Sequence, residues 1–342
     1  MRHNLGEYYT PDWLAELVLS EAGYKGDLQS RLLDPACGSG TFLVLAILKA
    51  KRLAEKEGMS RLQTAKSILA NIWGFDLNPL AVIAARTNYL FALGELVDYQ
   101  ATVEIPVYLA DSVLWPRESA RTLFGAGEDA VRVNTSVGPF HVPAIWVMQG
   151  GFLMKEAAPL VEDMTKANYA PPEALEQLRK KGLVFGPHED AVLAFYTEIL
   201  KLEQEGKNGI WARLLKNSFA PLIAGNFDFV VGNPPWVRWG YLSREYREAT
   251  LALWEKYGLF SLKGHAARLG GGEKDFSMLF TYAAIDYYLP KKGVLAFLIT
   301  QEVFKSKGAG EGFRRFCLGP GGDFRVIKAH DLVTVQPFEG AV

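Results

Sequence analysis

The sequence predicts an α/β fold: an open, mostly parallel sheet with helices on both faces, interrupted by a largely helical insertion. Three observations carry this prediction. Short apolar runs alternate with stretches of helical periodicity near the start of the chain and again near its end. The first such run ends at Asp34 and leads through small residues, Pro35-Ala36-Cys37-Gly38-Ser39-Gly40, into a helix. The run Phe227-Asp228-Phe229-Val230-Val231 is closed by Gly232-Asn233-Pro234-Pro235-Trp236, as expected of a buried central strand that ends in a rigid loop.

Composition bounds the answer. The chain has 342 residues, 49% of them hydrophobic and 22% charged, enough to bury a large core. Its formal net charge of -1 argues against a self-sufficient nucleic-acid-binding domain, which is usually basic. Two cysteines, Cys37 and Cys317, make no disulfide framework and have no metal-ligand spacing, so no metal is expected. No apolar run reaches membrane length and the N-terminus has no signal-peptide core, so the cytoplasm is the expected location.

The elements follow in order. Thr10-Pro11-Asp12 has the residues of a helix start, with Thr10 as N-cap and the helix running to about Ser20. The exposed amides at Thr10 suit a carboxylate. The Asp34 loop opens a helix from about Thr41 to Glu57. Its glycines let a ligand approach the backbone, while an acid at its start would repel a phosphate and suits an ammonium group. Cys37 has no His near it in sequence and reads as a small loop residue. A second strand, Ile72–Asp76, precedes a helix opened by Asn78-Pro79. A third, about Val103 to Leu109, precedes Asp111. Asp34, Asp76 and Asp111 thus mark three strand ends along one sheet edge, where open α/β sheets bind ligands. An acid at the end of the second strand is where a ribose diol is usually held. Asp111 suits an adenine amine.

Residues 113–225 break the alternation. They predict a hairpin over Ala130–Trp146 and helices at about 153–168, 172–181, 189–204 and 211–223, an insertion without a chemical constellation. After the Asn-Pro-Pro-Trp loop come a helix to about Tyr257, a glycine-rich and mobile loop over 261–273, and a helix at about 275–289. A strand at 294–299, a helix at about 312–318 and a strand at 324–329 complete the series. The predicted organisation is therefore residues 1–112 as the cofactor half, 113–225 as the insertion and 226–342 as the catalytic half. The sheet lacks the hairpin partner of its last strand, so the chain is expected to be a fragment or to continue in a second polypeptide.

Residues 232–236 carry the chemistry. Consecutive prolines fix φ and hold the preceding residue extended. The Asn233 side-chain oxygen and the Pro234 carbonyl, side by side, form a two-acceptor clamp for an amino group, and Trp236 adds a flat face. A planar, amino-bearing ring fits there. A plain Pro-Pro turn with a packing tryptophan is the competing reading of this loop taken alone.

Together these motifs resemble the gamma-type N6-adenine DNA methyltransferases of type I modification subunits and fused type IIG restriction–modification enzymes. In that order Gly6-Glu7-Tyr8-Tyr9-Thr10-Pro11 precedes the glycine loop and Asn-Pro-Pro-aromatic follows it. The match covers about 1–112 and 226–342. The resemblance implies a Rossmann-like class I methyltransferase using S-adenosylmethionine. It places Tyr9, Thr10, Asp34, Ala36, Gly38, Gly40, Asp76, Leu77, Asp111, Ser112 and Asn233 at the cofactor, with Thr10 at the methionine carboxylate, Asp76 at the ribose and Asp111 at the adenine amine. It makes Asn233, Pro234, Pro235 and Trp236 catalytic, and sets Phe338 with Trp236 against a flipped base. The implied substrate is double-stranded DNA, reached through a recognition domain or subunit that this chain does not supply, with a specificity or nuclease subunit as a further partner. Three rivals stay open. They are methylation of RNA or of a protein glutamine, a cofactor-binding module inactive without a partner, and, more remotely, a dehydrogenase, which would need a third loop glycine.

Overall fold

The computed structural model of the chain describes residues 9–97, 103–114, 130–135, 138–147, 152–206, 211–259, 274–306, 309–319, 322–335 and 337–338. Among the described residues, five strands form the main sheet: β1 (Leu32–Asp34), β2 (Ile72–Asp76), β3 (Val107–Leu109), β6 (Phe229–Gly232) and β7 (Val294–Phe297). Their spatial order is β3-β2-β1-β6-β7. The pairings of β1 with β2, β1 with β6 and β6 with β7 are parallel. Strands this short and apolar, separated by helices, have no other way to bury both faces.

Helix α1 (Asp12–Glu21) precedes the sheet, and α2 (Thr41–Lys56), α3 (Arg61–Asn71), α4 (Pro79–Leu93), α10 (Arg244–Lys256) and α11 (Phe276–Tyr288) lie between its strands. One sheet face carries an aromatic layer, in which Phe75 lies 5.9 Å from Tyr288 and Trp73 lies 6.1 Å from Phe227. The opposite face meets α2, where Leu43 and Cys37 pack over Gly74 so closely that a side chain at 74 would collide with them. Helix α11 is apolar almost all round, and 11 of its 13 residues are buried, as that composition requires.

Contacts divide the chain into two units. The first comprises Met1–Tyr108, Ser112–Leu114 and Asn226–Val342, the second Leu109–Asp111 and Trp115–Gly225. The second unit has its own core, which includes Trp146, Phe195, Tyr196 and Phe219. It contains an antiparallel pair, β4 (Ala130–Thr135) with β5 (Gly138–Pro143), and helices α5 (Ala144–Val147), α6 (Phe152–Lys166), α7 (Pro171–Lys180), α8 (Glu189–Gln204) and α9 (Trp211–Ala224). Gly138-Pro139 opens β5, with Gly138 paired to Thr135.

Four local expectations change. The N-cap of α1 is Pro11, whose carbonyl accepts from the amides of Leu14 and Ala15, so Thr10 is free to point elsewhere. Helix α3 had gone unread, although Ser60 and Gln63 form a complete capping box at its start. The helix near 312–318 lies earlier, at Ala309–Phe313. Residues 324–329 join no sheet among the described residues and most of them are exposed, because a strand needs a neighbour's backbone to be one. The glycine-rich loop at 261–273 and residues 6–8 of the opening motif fall outside the described residues.

The capping box offers a clean check on local stability. Ser60→Ala should lower unfolding stability by about 1 kcal/mol. Urea titration should show a lower midpoint at an unchanged slope.

Candidate active site

The site is assembled where β1, β2 and β6 end. Asp34 closes β1 and is 1% exposed. Its Oδ1 accepts the Ala36 amide at 3.1 Å, a turn that swings the chain into the glycine loop. Gly38 and Gly40 have φ of 53° and 90°, a left-handed backbone that side-chain-bearing residues avoid. The loop is tied down from several sides. The Gly38 amide donates to Asp76 Oδ2 at 2.9 Å, Asn88 Nδ2 donates to the Ser39 carbonyl at 2.9 Å, and the Ser112 hydroxyl donates to the Pro35 carbonyl at 2.5 Å. Ser112 is held in turn, since the Tyr288 hydroxyl donates to its carbonyl at 2.9 Å. Asp76 Oδ1 accepts the Asn78 amide at 2.8 Å, so its carboxylate shapes the loop as well as ending β2. Leu77 beside it is exposed, as is Tyr9 beside Thr10.

The β6 end meets the β1 end directly. A Cβ built on Gly232, whose φ is 155°, would stand 2.6 Å from Asp34 Oδ1. Only a residue without a side chain lets the two strand tips come this close. The next residue, Asn233, is half-buried and Pro234 is buried. Asn233 Nδ2 donates to Thr10 Oγ1 at 3.2 Å. That bond fixes the amide's orientation and leaves Oδ1 as the free acceptor. Asn233 Oδ1 is shut from solvent and has no hydrogen-bond partner among the described residues. An unpaired buried acceptor costs about 1–3 kcal/mol, so a donor that reaches it gains that much in return.

Trp236 is fixed at one end, its indole donating to the Leu298 carbonyl at 3.1 Å. Phe338 meets it edge to face, with ring centroids 4.9 Å apart and planes at 84°. The pair is brought together, but no base fits between rings this close. A ring stacking on Trp236 would use its remaining face or displace Phe338. The loop beyond is anchored too: the Trp239 amide donates to the Lys274 carbonyl at 2.7 Å and the Phe276 amide to the Val237 carbonyl at 2.8 Å.

The electrostatics favour a cation. Burial, reinforced by Asp76, holds the Asp34 carboxyl well above the usual carboxylate range, against the weaker pull of the Ala36 amide. A positively charged group brought to this pair would reverse that direction. Burial also pushes the Cys37 thiol up, helped by Asp34 and Asp76, which disfavours the thiolate. These features fit a ligand with an ammonium or sulfonium centre at Asp34. Among the expected site residues, Thr10, Asp34, Ala36, Gly38, Gly40, Asp76, Ser112 and Asn233 are joined by direct contact or through the loop. Asp111 follows β3 by two residues and groups by its contacts with the second unit. Sequence reasoning missed Asn88, Tyr288 and the Thr10–Asn233 bond. The first two act across 49 and 176 residues, with no local signal.

Comparison with known proteins gives two family matches: the Eco57I restriction-modification methylase model over residues 70–330 and the N-6 DNA Methylase model over residues 2–123. The adenine-specific methyltransferase PglX of Streptomyces coelicolor is 31% identical over 137 residues, which is 35% of this chain and 11% of that protein. The chain thus spans about a tenth of the length of this curated relative. Among solved structures, a nuclease-deletion mutant of the Type ISP restriction-modification enzyme LlaGI with a DNA substrate mimic matches at 14% identity and a TM-score of 0.45, covering 91% of this chain and 20% of that one. A DrdV–DNA complex matches at 18% identity and 0.44, covering 92% and 22%.

Asp34 should trade stability for binding. Its folded pKa is raised, so the group favours folding below the unfolded carboxylate pKa of about 4 and loses that contribution as pH rises through the folded value. Asp34→Asn should therefore raise the unfolding temperature of the ligand-free protein at pH 7–8 and flatten its decline with pH. The same variant should show no further stabilisation by S-adenosylmethionine; differential scanning fluorimetry across pH, with and without that compound, reads both effects.

Proposed function

Because the chain belongs to the Eco57I restriction-modification methylase family, whose model spans residues 70–330, we propose that it forms the catalytic core of a site-specific DNA methyltransferase. The reaction is transfer of a methyl group from S-adenosylmethionine to N6 of a flipped-out adenine, within a restriction–modification or related defence system. The observation that carries this reading is Asn233 Oδ1: a buried acceptor, oriented by Thr10 and left unpaired, at the tip of a strand beside Asp34.

S-adenosylmethionine, when bound, supplies a sulfonium methyl group already activated for transfer. Asp34 would face its positive end, the Gly38–Gly40 loop would give it room along the backbone, and Asp76 would take its ribose. The amine of an adenine is a poor nucleophile because its lone pair is spread into the ring. Asn233 Oδ1 and the Pro234 carbonyl accept its two hydrogens, favour a pyramidal nitrogen and offset the positive charge that grows there. The prolines hold those oxygens in place before the base arrives, which is positioning rather than covalent catalysis. N6 is out of reach inside a duplex, so the base leaves the stack. Stacking on Trp236, worth about 1–3 kcal/mol, offsets part of that cost.

Double-stranded DNA is the proposed substrate, with sequence recognition supplied by a further domain or subunit, and the cytoplasm is the proposed location. A second reading rests on the share of its curated relative that the chain spans: 11% of that protein leaves room for parts without which the core binds the cofactor and transfers nothing.

Tritiated methyl transfer offered to DNA, RNA and protein separates the readings. Label in adenine of DNA is the expected result, and label confined to protein would sink it. Asn233→Ala should lower the rate by on the order of 100-fold or more while leaving affinity for S-adenosylmethionine within about threefold. Parallel loss of both would make the loop a structural element only.

A further inference from the structure

A second buried polar atom at the neighbouring strand tip lacks a partner. Thr300 Oγ1, like Asn233 Oδ1, is shut from solvent with no hydrogen-bond partner among the described residues. Its position ties it to the Asn-Pro-Pro-Trp loop. Strands β6 and β7 run parallel with Gly232 opposite Phe297. The Leu298 amide donates to the Gly232 carbonyl at 3.0 Å, and the Leu298 carbonyl is the group the Trp236 indole holds. Thr300 stands two residues further along. The strand ends at Phe297, so Thr300 lies three residues past it, on the segment that Leu298 fastens to the Asn-Pro-Pro-Trp loop.

The Thr300 backbone is already engaged, since its carbonyl accepts the Val303 amide at 3.3 Å. Other unpartnered buried hydroxyls sit elsewhere. Ser277 lies in the first turn of α11, and Ser306 lies beside Arg314, which donates to its carbonyl at 3.0 Å. Buried polar groups are almost always paired, and exceptions concentrate where a ligand completes them.

We propose that the Thr300 hydroxyl is a specificity contact to the target base, donating to a ring nitrogen next to the amine whose hydrogens go to Asn233 and Pro234. The proposal rests on the functional reading above and adds to it how the ring edge is read. Adenine and cytosine present an amine beside an acceptor nitrogen; guanine and thymine present an oxygen beside an N–H. A donor set next to two acceptors matches the first pattern, and the second would aim a base oxygen at the two acceptors. A donor on the ring nitrogen draws electron density away from the amine, so it does not speed the transfer. It selects and orients, and its loss belongs in KM more than in kcat.

The test is a cycle of variants and base analogues with the intact protein. Wild type, Thr300→Val and Thr300→Ser are assayed on DNA carrying adenine, 1-deazaadenine or 7-deazaadenine at the target position. The expected result is a loss of about tenfold in kcat/KM for wild type on one of the two analogues. Thr300→Val should lose a similar factor on adenine, mostly in KM, with no further loss on that same analogue, and Thr300→Ser should recover most of it. Additive losses with both analogues, or Thr300→Val equal to wild type on adenine, would overturn the role of Thr300 alone. Wild-type protein that transfers nothing to adenine would overturn the functional reading, and this proposal with it.

Discussion

The parallel pairing of β1 with β6 is the constraint on which the rest of the structure depends. It sets Leu32 against Phe229 and Leu33 against Val230, so both strands run out at the same edge. A slip of one residue would turn every side chain to the wrong face. Two bonds guard the register at the entry. The Arg31 amide donates to Asp228 Oδ2 at 2.8 Å, and the Phe229 amide donates to the Arg31 carbonyl at 3.0 Å. The Arg31 guanidinium lies 4.3 Å over the Phe227 ring and holds the Asn226 carbonyl at 2.7 Å. At the exit, the missing side chain of Gly232 admits the Asp34 carboxylate. Locking one end of the strand pair is what allows the other to be tight.

That tightness concentrates unfavourable terms in one place. Asp34 is buried with a second acid nearby, and Asn233 Oδ1 and Thr300 Oγ1 are buried without partners among the described residues. Each such group lowers stability, and none helps the ligand-free fold. The surroundings absorb the cost. The largely buried α11 and the aromatic layer of Trp73, Phe75, Tyr108, Phe227 and Tyr288 supply an apolar mass behind the strand ends. The hydrogen bonds of Asn88, Ser112 and Tyr288 stop the glycine loop from collapsing into the gap.

Most of the sheet was legible in the sequence, because short apolar runs ending in acids and flanked by helical periods allow few arrangements. β2 and α4 fall where Ile72–Asp76 and Asn78-Pro79 put them, and α6 to α9 begin and end within two residues of their expected bounds, while α5 takes the last residues expected of the hairpin. The strand expected at 324–329 does not form among the described residues, since an apolar run says nothing about whether a partner backbone is present. Helix α3 was passed over because its apolar positions are few and its signal lay in the cap. In the site, residue types and spacing pointed to Asp34, Asp76 and Asn233, whereas Thr10 acts differently from its expected part as N-cap. Its hydroxyl orients an amide 223 positions away, a pairing that only three dimensions reveal.

The interleaving of the two units has a consequence for how the chain comes to be folded. The Arg31–Asp228 contact joins residues 197 positions apart, and everything between includes the whole second unit. During synthesis β1 and β2 emerge long before β6, so an apolar strand edge at Leu32 and Leu33 stays unpaired while more than a hundred further residues are added. The inserted unit carries its own core, so it has what it needs to condense first. Pairing across such a span is slow, and the waiting edge is the point at which this protein is most exposed to misassembly.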